Sequence, residues 1–169
     1  IWDENQHKLE EFLHLFPKNC IYMRWNYRAS QSIGNTKAME WFSEKGFQVM
    51  GATAGQTRWI LMPQKESNMD NIKTFTLSSI EHNLSGLLLT LWDDDSPHFE
   101  LYMRGIIAFS AYSWSGENRT KEDIKSAYRQ REFSYEVANK EHAFIDQLEA
   151  PVAFWKNMLL DGFDRNKIK

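Results

Sequence analysis

Short, continuously apolar runs alternate along this chain with longer stretches in which apolar residues recur every three or four positions. Residues 19–25, NCIYMRW, form one such run between Pro17 and a polar stretch, which marks a buried strand rather than a helix. Residues 35–46, NTKAMEWFSEKG, then set Ala38, Met39, Trp41 and Phe42 on one helical stripe that ends in Lys45 and a glycine stop. The order repeats. Residues 47–55, FQVMGATAG, predict a strand running into a glycine-containing loop, and residues 68–84 predict a helix through Ile72, Phe75, Ile80 and Leu84. GLLLTLW at 86–92 follows as a third strand, and 96–114 as a third helix with Ser96 as N-cap and Pro97 at its first position. At the front, Ile1 and Trp2 read as the tail of a fourth strand, with NQHKLEEFLHLF its helix.

Continuously apolar strands alternating with helices predict a parallel α/β sheet covered on both faces. Four βα units fit an open doubly wound sheet or about the last four units of a TIM (β/α)8 barrel, which as a whole takes about 250 residues. No G-x-G-x-x-G follows any strand, so the dinucleotide fingerprint of the doubly wound fold is missing. Residues 1–116 carry the βα pattern. Residues 117–169 are charged and helical in pattern, interrupted only by Pro151, and predict a C-terminal helical extension packed on the sheet's helices or on a partner.

Charge removes some roles. With 20 basic residues against 23 acidic and a net charge of -3, the chain lacks the footprint of a nucleic-acid binder. Its apolar runs fall short of the ~18 residues that span a bilayer, so no membrane segment is expected. The lone Cys20 excludes an intrachain disulfide and reads as a core thiol at the start of a strand. The chain opens on Ile1 rather than Met, without a signal peptide, which leads us to expect further protein upstream.

The aromatic content changes the picture. Eleven Phe, seven Trp and six Tyr are more than an ordinary core requires, although most will fill that core. In either architecture the ligand face lies at the carboxyl ends of the strands. Trp2-Asp3-Glu4, Trp25-Asn26-Tyr27 and Trp92-Asp93-Asp94 all fall there. Indoles stack on the C–H faces of sugars and carboxylates accept their hydroxyls, so this pairing suits a monosaccharide. Two alternatives stand beside it: Trp25 and Trp92 as barrel filling, and Asp93 and Asp95 as helix-capping acids. The aspartate triplet lacks the D-x-D-x-D-G spacing of a calcium loop, so no metal is expected.

LLLTLWDDD resembles the last barrel strand of the β-N-acetylhexosaminidases of glycoside hydrolase family 20. RGIIAFSAYSWSG is similar to the helix after it, and IWDE and IYMRWNY resemble the fifth and sixth strands. The resemblance implies that Trp92 stacks on the terminal sugar and Asp94 binds its outer hydroxyls. It implies pocket walls at Trp2 and Trp25, with Tyr27 on the same rim. The seventh strand departs from the family: GATAG stands where many members carry a Tyr for the acetamide. Family members use the substrate's acetamide as nucleophile, oriented by an Asp beside a Glu that protonates the leaving oxygen. No H-x-G-G-D-E-like motif occurs here, so the catalytic pair is expected upstream, with Asp3 and Glu4 as the alternative pair within the chain.

The resemblance therefore implies part of a glycoside hydrolase that removes a terminal N-acetylhexosamine or related β-linked sugar, inactive alone and without a cofactor. The alternative is a non-catalytic carbohydrate-binding or scaffold module. A partial barrel exposes strand edges, so self-association is expected. The compartment is open, and extracytoplasmic if the resemblance holds. His7 and His14 lack an H-E-x-x-H context, and the sequons at Asn83 and Asn118 bear only on a secreted eukaryotic chain.

Overall fold

Each apolar run becomes a strand trimmed at its polar ends: β1 is Ile21–Trp25, β2 is Gln48–Ala54 and β3 is Gly86–Thr90. This computed structural model describes residues 6–27, 36–55, 66–92 and 102–133. The helices are α1 (Gln6–Leu9), α2 (Lys37–Glu44), α3 (Glu66–Glu81), α4 (Met103–Ser115) and α5 (Lys121–Glu132). The expected strand at Ile1 and Trp2, the caps at Ser96 and Pro97 and the extension beyond Phe133 lie outside the described residues.

Several local expectations are corrected. The first helix is a single α-turn continued as a 3-10 segment, Glu10–Leu15, with no buried residue in that segment; Leu9, Leu13 and Phe16 only edge the core. α3 buries Met69, Ile72 and Phe75, whereas Ile80 is 59% exposed: in the last turn Ser78 and Ser79 take the buried positions. Cys20 is exposed rather than a core thiol, because β1 begins one residue later and Cys20 sits in the turn after Pro17. Gly46, at φ 78°, supplies the left-handed residue that ends α2 as its position predicts.

All three strands are parallel, in the order β1-β2-β3. Side chains alternate across the sheet. Tyr22, Val49, Gly51, Leu87 and Leu89 point to the face that carries the helices, where Met39 and Phe42 of α2, Ile72 and Phe75 of α3, and Ala108 and Tyr112 of α4 form two apolar clusters. Gly51 leaves no room beneath them, since a Cβ there would lie 2.7 Å from Phe75 Cδ1. Most described aromatics serve this layer: Tyr22 stacks on Phe42 at 5.8 Å and meets Phe47 edge-on at 5.3 Å. Burial, followed by the neighbouring Cys20 thiol, pushes the Tyr22 phenol up to about 12, and its hydroxyl donates to the Pro17 carbonyl.

The expectation of helices on both faces fails for the described residues. Successive right-handed crossovers in an unreversed strand order put every helix on one side. The opposite face holds Ile21, Met23 and Trp25 of β1, Met50, Ala52 and Ala54 of β2, and Leu88, Thr90 and Trp92 on and just after β3. Ile21, Met23, Trp25, Leu88 and Trp92 are 37–51% exposed there. The strands also climb: Ile21 pairs with Gln48 at the start of β2, but Gly86 pairs with Met50, so the sheet shifts two residues toward its carboxyl end over three strands.

A capping box starts α5. Thr120 Oγ1 accepts from Asp123 N at 3.1 Å, and the Asp123 carboxylate accepts from Thr120 N at 3.0 Å. The Thr120 hydroxyl, then its backbone N–H, hold the Asp123 pKa below the usual carboxylate value. A depressed folded pKa contributes stability that is present above the ordinary carboxylate range and is lost as pH falls through the folded value. Wild type should therefore melt above Asp123→Asn at pH 7, and the two melting curves should converge toward pH 3. Thr120→Ala is expected to cost about 1 kcal/mol at neutral pH.

Candidate functional site

At the carboxyl end of the sheet the chain gathers Trp25, Tyr27 and Trp92, three residues from two strand ends separated by β2. Their rings form a contiguous group. Trp25 meets Trp92 at 5.8 Å and 76°, Tyr27 meets Trp92 at 6.0 Å and 65°, and Trp25 lies 6.5 Å from Tyr27. Near-perpendicular packing sets the electropositive edge of one ring against the face of another, the favoured geometry for aromatic pairs. The result is a corner with two indole walls that remains 47% exposed at Trp25 and 37% exposed at Trp92.

Hydrogen bonds hold the corner in place. Trp92 Nε1 donates toward Tyr27 Oη at 3.1 Å and Thr90 Oγ1 at 3.0 Å, so the indole N–H is used internally and the ring presents its apolar surface. Thr90 Oγ1 donates to the Thr53 carbonyl at 2.9 Å. Thr53 Oγ1 donates to Asn71 Oδ1 at 2.7 Å, and Asn71 Nδ2 donates to the Asn26 carbonyl at 3.1 Å. This chain of bonds runs from the indole across all three strand ends. Thr53 and Asn71 are buried, so each polar group in it needs the partner it has.

Two further contacts close the rim from the helix side. Asn68 Nδ2 donates to the Gly55 carbonyl at 3.2 Å, and Tyr102 Oη donates to the Trp92 carbonyl at 3.1 Å. Tyr102 precedes α4, and α4 reaches this position because Gly105 packs directly on Gly55: a Cβ on Gly105 would lie 2.6 Å from Gly55 Cα. Only two glycines permit that approach of helix to strand end.

Of the residues expected to bind sugar, Trp25, Tyr27 and Trp92 come together, while Trp2 and Asp94, with the alternative pair Asp3 and Glu4, lie outside the described residues. Thr53, Asn68, Asn71 and Tyr102 were not anticipated. A signal for two of them existed in the sequence: Thr53 interrupts an apolar strand and Asn71 sits between Met69 and Ile72 on a buried helical stripe. Buried polar residues in such places need partners, and each supplies the other's.

Among the described residues no three His, Cys, Asp or Glu side chains are grouped to hold a metal ion. None of the described helices is long and apolar enough to cross a membrane. Comparison with protein-family models, with curated proteins and with solved structures found no match.

Proposed function

We propose that this chain is a carbohydrate-binding wall of a glycosidase-like (β/α)8 barrel, contributing part of the pocket for a terminal N-acetylhexosamine or related β-linked sugar. One observation carries the reading: the exposed Trp25–Tyr27–Trp92 corner stands at the carboxyl ends of parallel strands, on the face that carries none of the described helices. A pyranose offers an apolar C–H face to one indole and an edge to the other, while oxygen atoms of the ring substituents lie near Tyr27 Oη. The Trp92 N–H is already engaged, so that wall of the corner contributes stacking and shape.

The sheet geometry supports the barrel part of the proposal. Three parallel strands in unreversed order, joined by connections whose described helices all lie on one face, match the βα units of a barrel wall. Alternation of Trp25 and Leu88 with the fully buried Ala52 between them resembles layered barrel filling. Among the described residues neither outer edge, of β1 or of β3, pairs with another strand, and self-association through those edges belongs to the same proposal. The catalytic acid pair would come from outside the described residues.

The rival, a non-catalytic carbohydrate-binding or scaffold module, is favoured by the described rim itself, which offers indole, phenol, hydroxyl and amide groups. Tryptophan fluorescence should change saturably on titration with N-acetylglucosamine, with a dissociation constant on the order of 1 mM, a typical weak-site energy of about 4 kcal/mol. Trp25→Ala and Trp92→Ala should each weaken binding roughly tenfold, equivalent to about 1.4 kcal/mol. A response that is absent, or equal for glycerol, or unchanged in both variants, defeats the carbohydrate reading. Hydrolysis of a chromogenic N-acetylglucosaminide by the longest natural form of the protein separates enzyme from binding module.

A further inference from the structure

The surface farthest in character from the strand-end rim is the cleft between α4 and α5, about 250 Å³ in volume. α4 contributes Ile107, Ser110, Ala111 and Trp114, which follow the i, i+3, i+4, i+7 spacing of one helix face. α5 contributes Ile124, Ala127, Tyr128 and Arg131 at the same spacing. Two helical stripes thus line one cleft. Its floor is apolar, with Ile124 and Tyr128 buried, yet Trp114 on its wall is 94% exposed.

Charge is distributed along the cleft. Arg119 precedes the first turn of α5 and Arg131 lies in its last, so about 15 Å of helix separates the two guanidinium-bearing positions. Among the described residues no carboxylate lies within ion-pair distance of either, although Arg119 is close enough to Asp123 to help lower its pKa. Arg129, by contrast, is committed to Glu122 at 2.7 Å. An apolar trough with a cation toward each end matches an apolar stripe with an acid toward each end.

We propose that this cleft docks an acidic amphipathic helix of a partner polypeptide, with Trp114 closing over its apolar stripe and Arg119 and Arg131 pairing with carboxylates near its two ends. A helix fits better than a strand. Both walls are helix faces whose backbone groups are bonded internally, so there is no sheet edge to extend, whereas a third helix packs into the seam of two. An anionic lipid surface fits worse, because Ile124 and Tyr128 are buried on the floor of a cleft, where a flat bilayer surface does not reach.

The probe is a 14-residue blocked helical peptide with Leu at i, i+3, i+4 and i+7 and Glu at both ends, beside a twin with Lys at the ends. Fluorescence anisotropy of labelled peptide on the whole chain should give a dissociation constant of about 10 µM for the Glu peptide and at least tenfold weaker binding for its twin. Trp114→Ala should weaken the Glu peptide at least fivefold, and Arg119→Glu with Arg131→Glu should reverse the preference between twins. Circular dichroism confirms that each variant keeps its helices, and the reversal of preference is a readout that misfolding does not produce. No binding, equal binding of the twins, unaltered preference after charge reversal, or capture by phosphatidylserine vesicles in place of the peptide would each overturn the proposal.

Discussion

Alanine at position 105 is expected to destabilise the protein by about 2 kcal/mol, although glycine to alanine inside a helix ordinarily gains close to 1 kcal/mol. The reversal comes from one contact. The new Cβ would lie 2.6 Å from Gly55 Cα and 2.9 Å from Gly55 O, and both are backbone atoms that no rotamer change can move. α4 must therefore back away from the end of β2, which loosens its packing on α3 and pulls Tyr102 from the Trp92 carbonyl. At roughly 2–4 °C per kcal/mol for a chain of this size, the melting temperature should fall about 4–8 °C. Indole emission should shift as Trp92 loses its anchor. Gly105→Ala melting at or above wild type would mean that α4 does not seat on Gly55.

The second large effect is expected at Asn71, which accepts a buried hydrogen bond from Thr53 Oγ1 and donates a part-buried one to the Asn26 carbonyl. Asn71→Ala leaves Thr53 Oγ1 without its acceptor at 2.7 Å and the Asn26 carbonyl without its donor at 3.1 Å. Each stranded buried group costs about 1–3 kcal/mol, so the substitution should remove about 3 kcal/mol and lower the melting temperature by about 6–12 °C. Thr53→Val removes the hydroxyl that would be stranded. The double variant should accordingly lie well above the sum of the singles, by about 1 kcal/mol, in a double-mutant cycle. Strict additivity would show that the two side chains are not bonded in solution. Because Asn26 leads directly into Tyr27, Asn71→Ala should also weaken any sugar response by more than its stability loss explains at a temperature where it remains folded.

Where apolar periodicity was strong, the elements were legible from the residues alone. The runs around 21–25, 48–54 and 86–90 are strands, and the stripes of α2 and α3 are helices, because a short apolar run between polar ends and a period of 3.6 are both local properties of the chain. Element ends were less legible. The stretch after Gln6 tightens into a 3-10 segment, and Ile80 faces water despite its place on the expected stripe. Both depend on how far a neighbouring element reaches, which no local pattern encodes.

The candidate site divides in the same way. Trp25, Tyr27 and Trp92 were identifiable because strand ends are recognisable and parallel βα units put those ends on one side. Thr53 and Asn71 were visible as polar interruptions of apolar segments, but their pairing joins a strand to a helix 18 positions later.

The order of residues by itself determined a parallel α/β chain with an aromatic rim at its strand ends, since side-chain alternation and βα connection are dictated by local sterics and handedness. Only the tertiary structure decided that every described helix lies on one face, that Gly105 meets Gly55, and that one chain of hydrogen bonds crosses three strands. Those features depend on the separation between segments distant along the chain, and distances of that kind exist only once the apolar layer has packed.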